Sequence, residues 1–241
     1  MLLNALLLAS SASATCLHGL SMFKRAEGET VALGQFGYGP LNGPFNWASL
    51  TAENEACKTG SNQSPINLDD SVTVLAEKPK IDIPAVEEAE FENLGTTIEV
   101  IANGTTSVAG SDFRLVQFHM HTPSEHHLNG EYHPLEVHMV HQGVGGIDFS
   151  DVLAAVSSSP ILQYNGSLTT PPCAEGVNFM IVKDPLDISV ADFNAIKSVV
   201  RFNARYIQNG LGQVNLLEVA NLAGTASAVQ PASVVDRPAG G

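Results

Sequence analysis

The sequence predicts a mainly β, single-domain fold. Its centre is one large, mostly antiparallel, twisted β-sheet with a few short peripheral helices. Three observations carry this. Short apolar alternations recur through the middle of the chain, turn signals separate them, and only two stretches read as helices. The segment from Phe36 to Pro65 holds GYGPLNGP and CKTGSNQSP, which predict a loop-rich entry with little regular structure. VTVLA (72–76), TTIEVIA (96–102), FRLVQFHMH (113–121) and LEVHMVH (135–141) follow as strands. Asn129-Gly130 predicts a hairpin turn between the last two. A short helix is expected from Ser150 through Val156, with Ser150 as its cap and Pro160 beyond its end. Ser189 caps a second, whose Phe193, Ile196, Val199 and Val200 share a face.

Composition narrows the function. The 241 residues carry 11 Lys and Arg against 25 Asp and Glu, a net charge of −14. So acidic a balance argues against a nucleic-acid or anionic-membrane partner, since both need a basic face. At 44% hydrophobic residues it has material for a real core. Residues 2–9, LLNALLLA, precede SSASAT and read as a signal peptide over 1–14, too short to span a bilayer. No later stretch is long and apolar enough to span one. Lys24-Arg25 would end a propeptide over 15–25. The domain is then expected over 26–221, with a flexible tail over 222–241. Such processing removes Cys16 and leaves Cys57 and Cys173, in a secreted protein most simply one disulfide. Secretion also brings three sequons into play, Asn62, Asn103 and Asn165. Asn103-Gly-Thr, in a turn-like context, is the best glycosylation candidate.

Seven of the eight histidines fall between His119 and His141. His119 and His121 are two apart in a strand, so both imidazoles face the same way. His138, on a strand beyond the hairpin, is placed to bring a third onto that face. Two histidines at this spacing are by themselves as well explained by a core or exposed pair. Three neutral imidazoles with one open position make a catalytic zinc site, and no cysteine lies nearby to suggest a structural thiolate site. Gln117 and Glu136 each precede a histidine by two residues on the same face. There they can accept the ring's other N–H and fix its tautomer. Glu125 lies beside the cluster, and Thr169-Thr170-Pro171-Pro172 supplies a hydroxyl-bearing turn.

In family order, the chain contains GYGPLNGPFNW (37–47), QSPINL (63–68), FRLVQFHMHTPSEHHLNG (113–130), YHPLEVHMVH (132–141) and YNGSLTTPPC (164–173). With these it resembles the alpha-class carbonic anhydrases of secreted, eukaryotic microbial or bacterial-like type, from about Phe36 to Asn209. The resemblance implies zinc ligands at His119, His121 and His138, with Gln117 and Glu136 holding their rings. It implies that Thr169 accepts a hydrogen bond from zinc-bound hydroxide and passes its own proton to Glu125. Thr170 matches a substrate-side position, Tyr38 a tyrosine of the water network, and Cys57 and Cys173 a disulfide of many members. The implied reaction is the reversible hydration of carbon dioxide to bicarbonate, with a small-molecule substrate and neither nucleic acid nor a membrane span.

Three departures matter. Thr96 stands where fast members carry a proton-shuttling histidine, and a hydroxyl does not titrate near neutrality. Proton export would then fall to buffer, water, or a nearby histidine such as His127 or His133. Phe36 and Phe179 stand where Trp is frequent. Most seriously, the chain after His141 is too short for the long apolar strand that the family places there. VLAAV reads as the later short helix rather than as that strand. The loss would open two sheet edges. A defective gene model or splice form explains it more simply than a shortened functional variant, and a zinc-binding but weakly active protein is the alternative function.

Overall fold

A computed structural model describes residues 35–84, 89, 91–108, 110–142 and 157–225. The signal-peptide and propeptide readings, Cys16, the 150–156 helix and the shortened stretch after Gln142 lie outside the described residues, as does the tail from 226.

The loop-rich entry holds three short helical turns: α1 (Trp47–Leu50), a 3-10 turn (Ala52–Asn54) and α2 (Ala56–Thr59). Their anchor is Trp47, fully buried, with its indole N–H donating to the carbonyls of Gly37 (2.9 Å) and Asn42 (3.0 Å). Phe36, Trp47, Cys57 and Cys173 form one buried cluster, and the two cysteines are joined as a disulfide.

The strands are β1 (Asn67–Leu68), β2 (Thr73–Val74), β3 (Lys80–Asp82), β4 (Phe91–Asn93), β5 (Ile98–Val108), β6 (Ser111–His121), β7 (His127–Leu128), β8 (Glu131–Tyr132), β9 (Glu136–Gln142), β10 (Ile161–Ser167) and β11 (Glu175–Val182). The five-stranded sheet has the order β3-β5-β6-β9, with β4 also on β5, all antiparallel. Ile83, Ala102 and Leu115 form its buried core, with Phe118 and Met139 packed alongside. A second sheet runs β11-β10-β2, and a small third joins β1, β7 and β8. Asn129 and Gly130 both take positive φ (51° and 87°) in a tight turn, as the Asn-Gly pair predicted, but the hairpin joins β7 and β8 rather than the two long histidine-bearing strands β6 and β9.

The expected mainly β, antiparallel architecture is present, but the single large sheet is not continuous among the described residues. β9 ends one sheet and β11 ends the other, and no described strand pairs with the outer edge of either. Side chains meet across the gap: the Phe179 ring of β11 lies 5.1 Å from His126 and 6.4 Å from His138.

Helix α3 (Val190–Val200) is capped by the Ser189 hydroxyl, which accepts from the Asp192 N–H. Of its expected apolar face only Val200 is buried; Val199 is exposed. Helix α4 (Leu216–Thr225) runs past 221 into the stretch read as tail. Asn103 does not sit in a turn. It is an exposed residue inside β5, where the register with β6 shifts between Ile101 and Gly104, and its side chain accepts from Arg114 (2.8 Å). No described helix is long and apolar enough to cross a membrane.

Candidate functional site

Antiparallel pairing of β6 with β9 sets His119 directly opposite His138, and strand alternation puts His121 on the same face. The three rings pack with centroids 5.2 Å (His119–His121), 5.2 Å (His119–His138) and 4.5 Å (His121–His138) apart. One nitrogen from each lies within 4.8 Å of the others, the spread of donors around a single ion.

Each ring is oriented by a different acceptor. The Nδ1–H of His119 faces Gln117 Oε1 (3.0 Å), and that of His121 faces the Asn203 carbonyl (2.8 Å). For His138 it is Nε2–H that faces Glu136 Oε1 (2.6 Å). All three acceptors are oxygens with no proton to give, so they place the proton on those nitrogens. Nε2 of His119, Nε2 of His121 and Nδ1 of His138 are thereby left as lone-pair donors. Burial drives the His121 pKa down to about 3, which keeps its ring neutral. Burial also opposes charge on His138, but the Glu136 carboxylate outweighs it and raises the pKa. Three imidazoles with no thiolate fit a catalytic zinc centre.

Glu136 does more than hold one ring. Its Oε1 also accepts from His126 Nδ1 (2.7 Å), and its Oε2 accepts the backbone N–H groups of Glu125 and His126 (2.8 Å each). Burial would raise its pKa, but His126 and His138 hold it well below the usual carboxylate range. His126, Glu136 and His138 also lie close enough to share a cation, yet here they bind one another.

Glu125 is fully buried beside this group. Its Oε1 accepts from the Arg205 backbone N–H (2.9 Å), and Oε2 lies 3.8 Å from His138 Nε2. Burial pushes its pKa up to about 7, against His138 and the Thr169 hydroxyl, which both favour the charged form. Thr169 and Thr170 are buried in the turn after β10, closed by the Cys173 N–H donating to the Thr170 carbonyl (2.9 Å). Tyr38 packs against Trp47 (5.6 Å) with its hydroxyl buried. Burial raises its pKa, Glu125 adds to the rise and Arg205 opposes it.

Five supporting residues were given no role from the sequence: Asn203, Arg205, His126, Tyr164 and Ser64. Asn203 supplies the His121 acceptor. The buried Arg205 guanidinium donates to Ser64 O (2.7 Å), Cys57 O (3.2 Å) and Gln63 Oε1 (3.0 Å), and lies 5.7 Å from the Trp47 ring. His126 Nε2 bonds the Tyr164 hydroxyl (2.6 Å), which bonds Ser64 Oγ (2.7 Å). Of these, only His126 was visible as part of the histidine cluster. Thr96, half-buried, has its carbonyl taken by Asn203 Nδ2 (3.0 Å). His127 sits on β7 against Tyr132, on the small third sheet rather than on β6 or β9.

The eukaryotic-type carbonic anhydrase family model matches this chain in two overlapping pieces, residues 42–161 and 144–217. A carbonic anhydrase from Klebsiella pneumoniae is 30% identical over 203 positions, covering 67% of this chain and 82% of that protein. One from Pectobacterium atrosepticum is 27% identical over 218 positions, covering 74% of this chain and 89% of that protein. In the latter match 74% of 241 residues is about 178, against 218 aligned positions, so about 40 positions have no counterpart here. The structure of an alpha carbonic anhydrase from the fungus Aspergillus oryzae superposes with a TM-score of 0.73 at 35% identity. It covers 78% of this chain and 99% of that one. With its histidine cluster and most of its length matched, the chain belongs to the eukaryotic-type carbonic anhydrase family.

Proposed function

We propose that this protein is a secreted zinc enzyme that hydrates carbon dioxide reversibly to bicarbonate and a proton. The observation that carries the reading is the three-imidazole cluster, in which separate oxygen acceptors leave one lone pair per ring and one nitrogen of each ring lies within 4.8 Å of the others. His119, His121 and His138 would hold the ion. Zinc bound there supplies the Lewis acidity that makes water a nucleophile at neutral pH. Gln117, Glu136 and the Asn203 carbonyl keep the rings in the metal-binding tautomer. Thr169 commits its O–H to the Glu125 carboxylate, which has no proton to return when charged. The threonine oxygen then has only lone pairs to offer the attacking water and fixes its orientation. A dication nearby favours the charged form of Glu125 over the neutral form that burial alone would stabilise. Thr170 lines the substrate side, and Tyr38 belongs to the surrounding water structure.

Proton export has no titrating side chain at Thr96, so exogenous buffer is expected to carry it. The disulfide between two buried cysteines supports an oxidising destination.

The test is metal analysis of the purified protein together with stopped-flow hydration. One zinc per chain, hydration blocked by a sulfonamide, and a rate that climbs with imidazole concentration are expected. Absence of zinc binding would overturn the reading, and a rate independent of imidazole would overturn the proton route. A second reading, a zinc-binding but weakly active protein, is favoured by one observation. β9 and β11 each end a sheet among the described residues, which agrees with the roughly 40 positions of the Pectobacterium atrosepticum relative that have no counterpart here. Stoichiometric zinc with hydration near the uncatalysed rate would select it.

A further inference from the structure

Four residues stand abreast across the five-stranded sheet. Glu92 of β4 pairs with Glu99 of β5, Glu99 with His119 of β6, and His119 with His138 of β9. Directly opposite residues of antiparallel strands share a face, with neighbouring Cβ atoms about 5 Å apart. The row therefore reads carboxyl, carboxyl, imidazole, imidazole, on the face that carries the histidine cluster. Glu99 is 2% exposed and Glu92 is half-buried. Gln117, Glu136 and the Asn203 carbonyl each hold one ring from positions outside this row.

We propose that Glu99, backed by Glu92, tunes the charge of the metal centre. Its carboxylate, directly across the strand pair from His119, tightens the hold on a divalent cation and weakens the hold on anions that compete for the open position. This rests on the zinc reading above. The three ligands are neutral imidazoles, so a dication among them keeps its full charge. Coulomb attraction decays only as the inverse of distance, and a separation of one strand spacing inside a protein leaves a substantial interaction. A buried carboxylate is costly unless opposite charge or hydrogen bonds compensate it, and a dication on the facing rings adds to that compensation. The same field repels an anion approaching the ion. Glu92 acts in the same sense from one strand further away and nearer solvent, where screening weakens it.

Two measurements on Glu99→Gln test this. Chelator competition on the metal-free protein reads the zinc dissociation constant, expected to rise about tenfold. Titration of the cobalt-loaded protein with thiocyanate, followed by visible absorption, reads anion affinity, expected to tighten about tenfold. The opposite signs matter, because a loosened site would weaken both. Glu92→Gln is expected to move both constants in the same directions by roughly twofold. Unchanged constants, or weakening of both, in Glu99→Gln would overturn the proposal. If a melting curve shows that variant unfolded, Glu92→Gln decides, and unchanged constants there overturn it. Failure of the parent protein to bind zinc would sink the functional reading itself. Zinc binding indifferent to both substitutions would sink only this inference.

Discussion

Removing the Cys57–Cys173 bond, by Cys57→Ala with Cys173→Ala, should cost about 3–5 kcal/mol of stability. The bond spans 116 residues of sequence, so the unfolded chain without it gains the freedom of a long open loop. For that length the chain-entropy relation yields about 16 cal/mol/K, or about 5 kcal/mol at room temperature. Real chains fall somewhat short, because the unfolded state keeps some compactness. The native side adds little, since both cysteines lie in the apolar cluster with Phe36 and Trp47 and an alanine methyl remains compatible with it. A loss of this size is a large fraction of a domain's total stability, about 5–15 kcal/mol. The assay is urea unfolding of both proteins at one pH, with the slope of free energy against urea compared as well as the midpoint. A local effect should accompany the global one. Cys173 sits at φ 59°, a strained position for a non-glycine residue, immediately after the Thr169–Thr170 turn. Untied, that turn is freer to relax, so hydration should fall at temperatures where zinc is still bound. A destabilisation below about 1 kcal/mol with an unchanged slope would refute the loop-entropy reasoning.

Glu136→Gln turns one acceptor oxygen into a donor facing either two imidazole N–H groups or two backbone N–H groups. Zinc affinity, read by chelator competition, should fall about 10- to 100-fold. Thr169→Val keeps the shape and removes the oriented hydroxyl; hydration should drop about 100-fold or more while zinc stoichiometry stays at one per chain. The metal-free protein should be most stable between pH 4.5 and 6.5, read by urea unfolding across a pH series. Below that window His121, depressed from 6.5 to about 3, and Glu136, depressed below 4.5, both take up more protons when unfolded, so acid destabilises. Inside it His121 favours higher pH and Glu125, raised from 4.5 to about 7, favours lower pH, and the two slopes offset. Above it the raised His138, and Glu125 up to about 7, lose stability as pH rises. A maximum at pH 8 would refute this assignment.

What the sequence revealed follows from which interactions leave a local pattern. Strands β6 and β9 were readable because apolar alternation and the two-residue spacing of His119 and His121 both reflect the pleat. Gln117 and Glu136 were readable for the same reason, each two residues from the ring it holds. The third ring-holder was not. Asn203 reaches His121 through a backbone carbonyl from 82 residues away, and carbonyls are common to every residue. Arg205 is likewise invisible, because its three acceptors lie 141–148 residues earlier in the chain. Asn103-Gly-Thr was misread because Asn-Gly marks turns and bulges alike, and only the partner strand distinguishes them. On α3 the spacing of Phe193, Ile196, Val199 and Val200 does identify a face, but periodicity does not say what covers it. Val199 remains exposed among the described residues.

The outer edges of β9 and β11, which no described strand pairs, bear differently on metal binding and on turnover. His119 and His121 lie on β6, which is paired on both sides, and His138 is tied to β6 along the inner edge of β9. The remaining ring supports come from Glu136, Gln117 and the Asn203 carbonyl, and Arg205 binds that last region to the disulfide cluster. None of these bonds uses the outer edge of β9 or of β11. A ligand set anchored this way tolerates loss of a neighbouring strand better than an apolar pocket wall does, because a wall has no directional bonds to keep it in place. If the outer edges of β9 and β11 are uncovered, substrate positioning should therefore weaken before metal binding does. The metal in turn adds stability of its own, since an ion that binds only the folded state stabilises it by about 4 kcal/mol at a thousandfold excess over its dissociation constant.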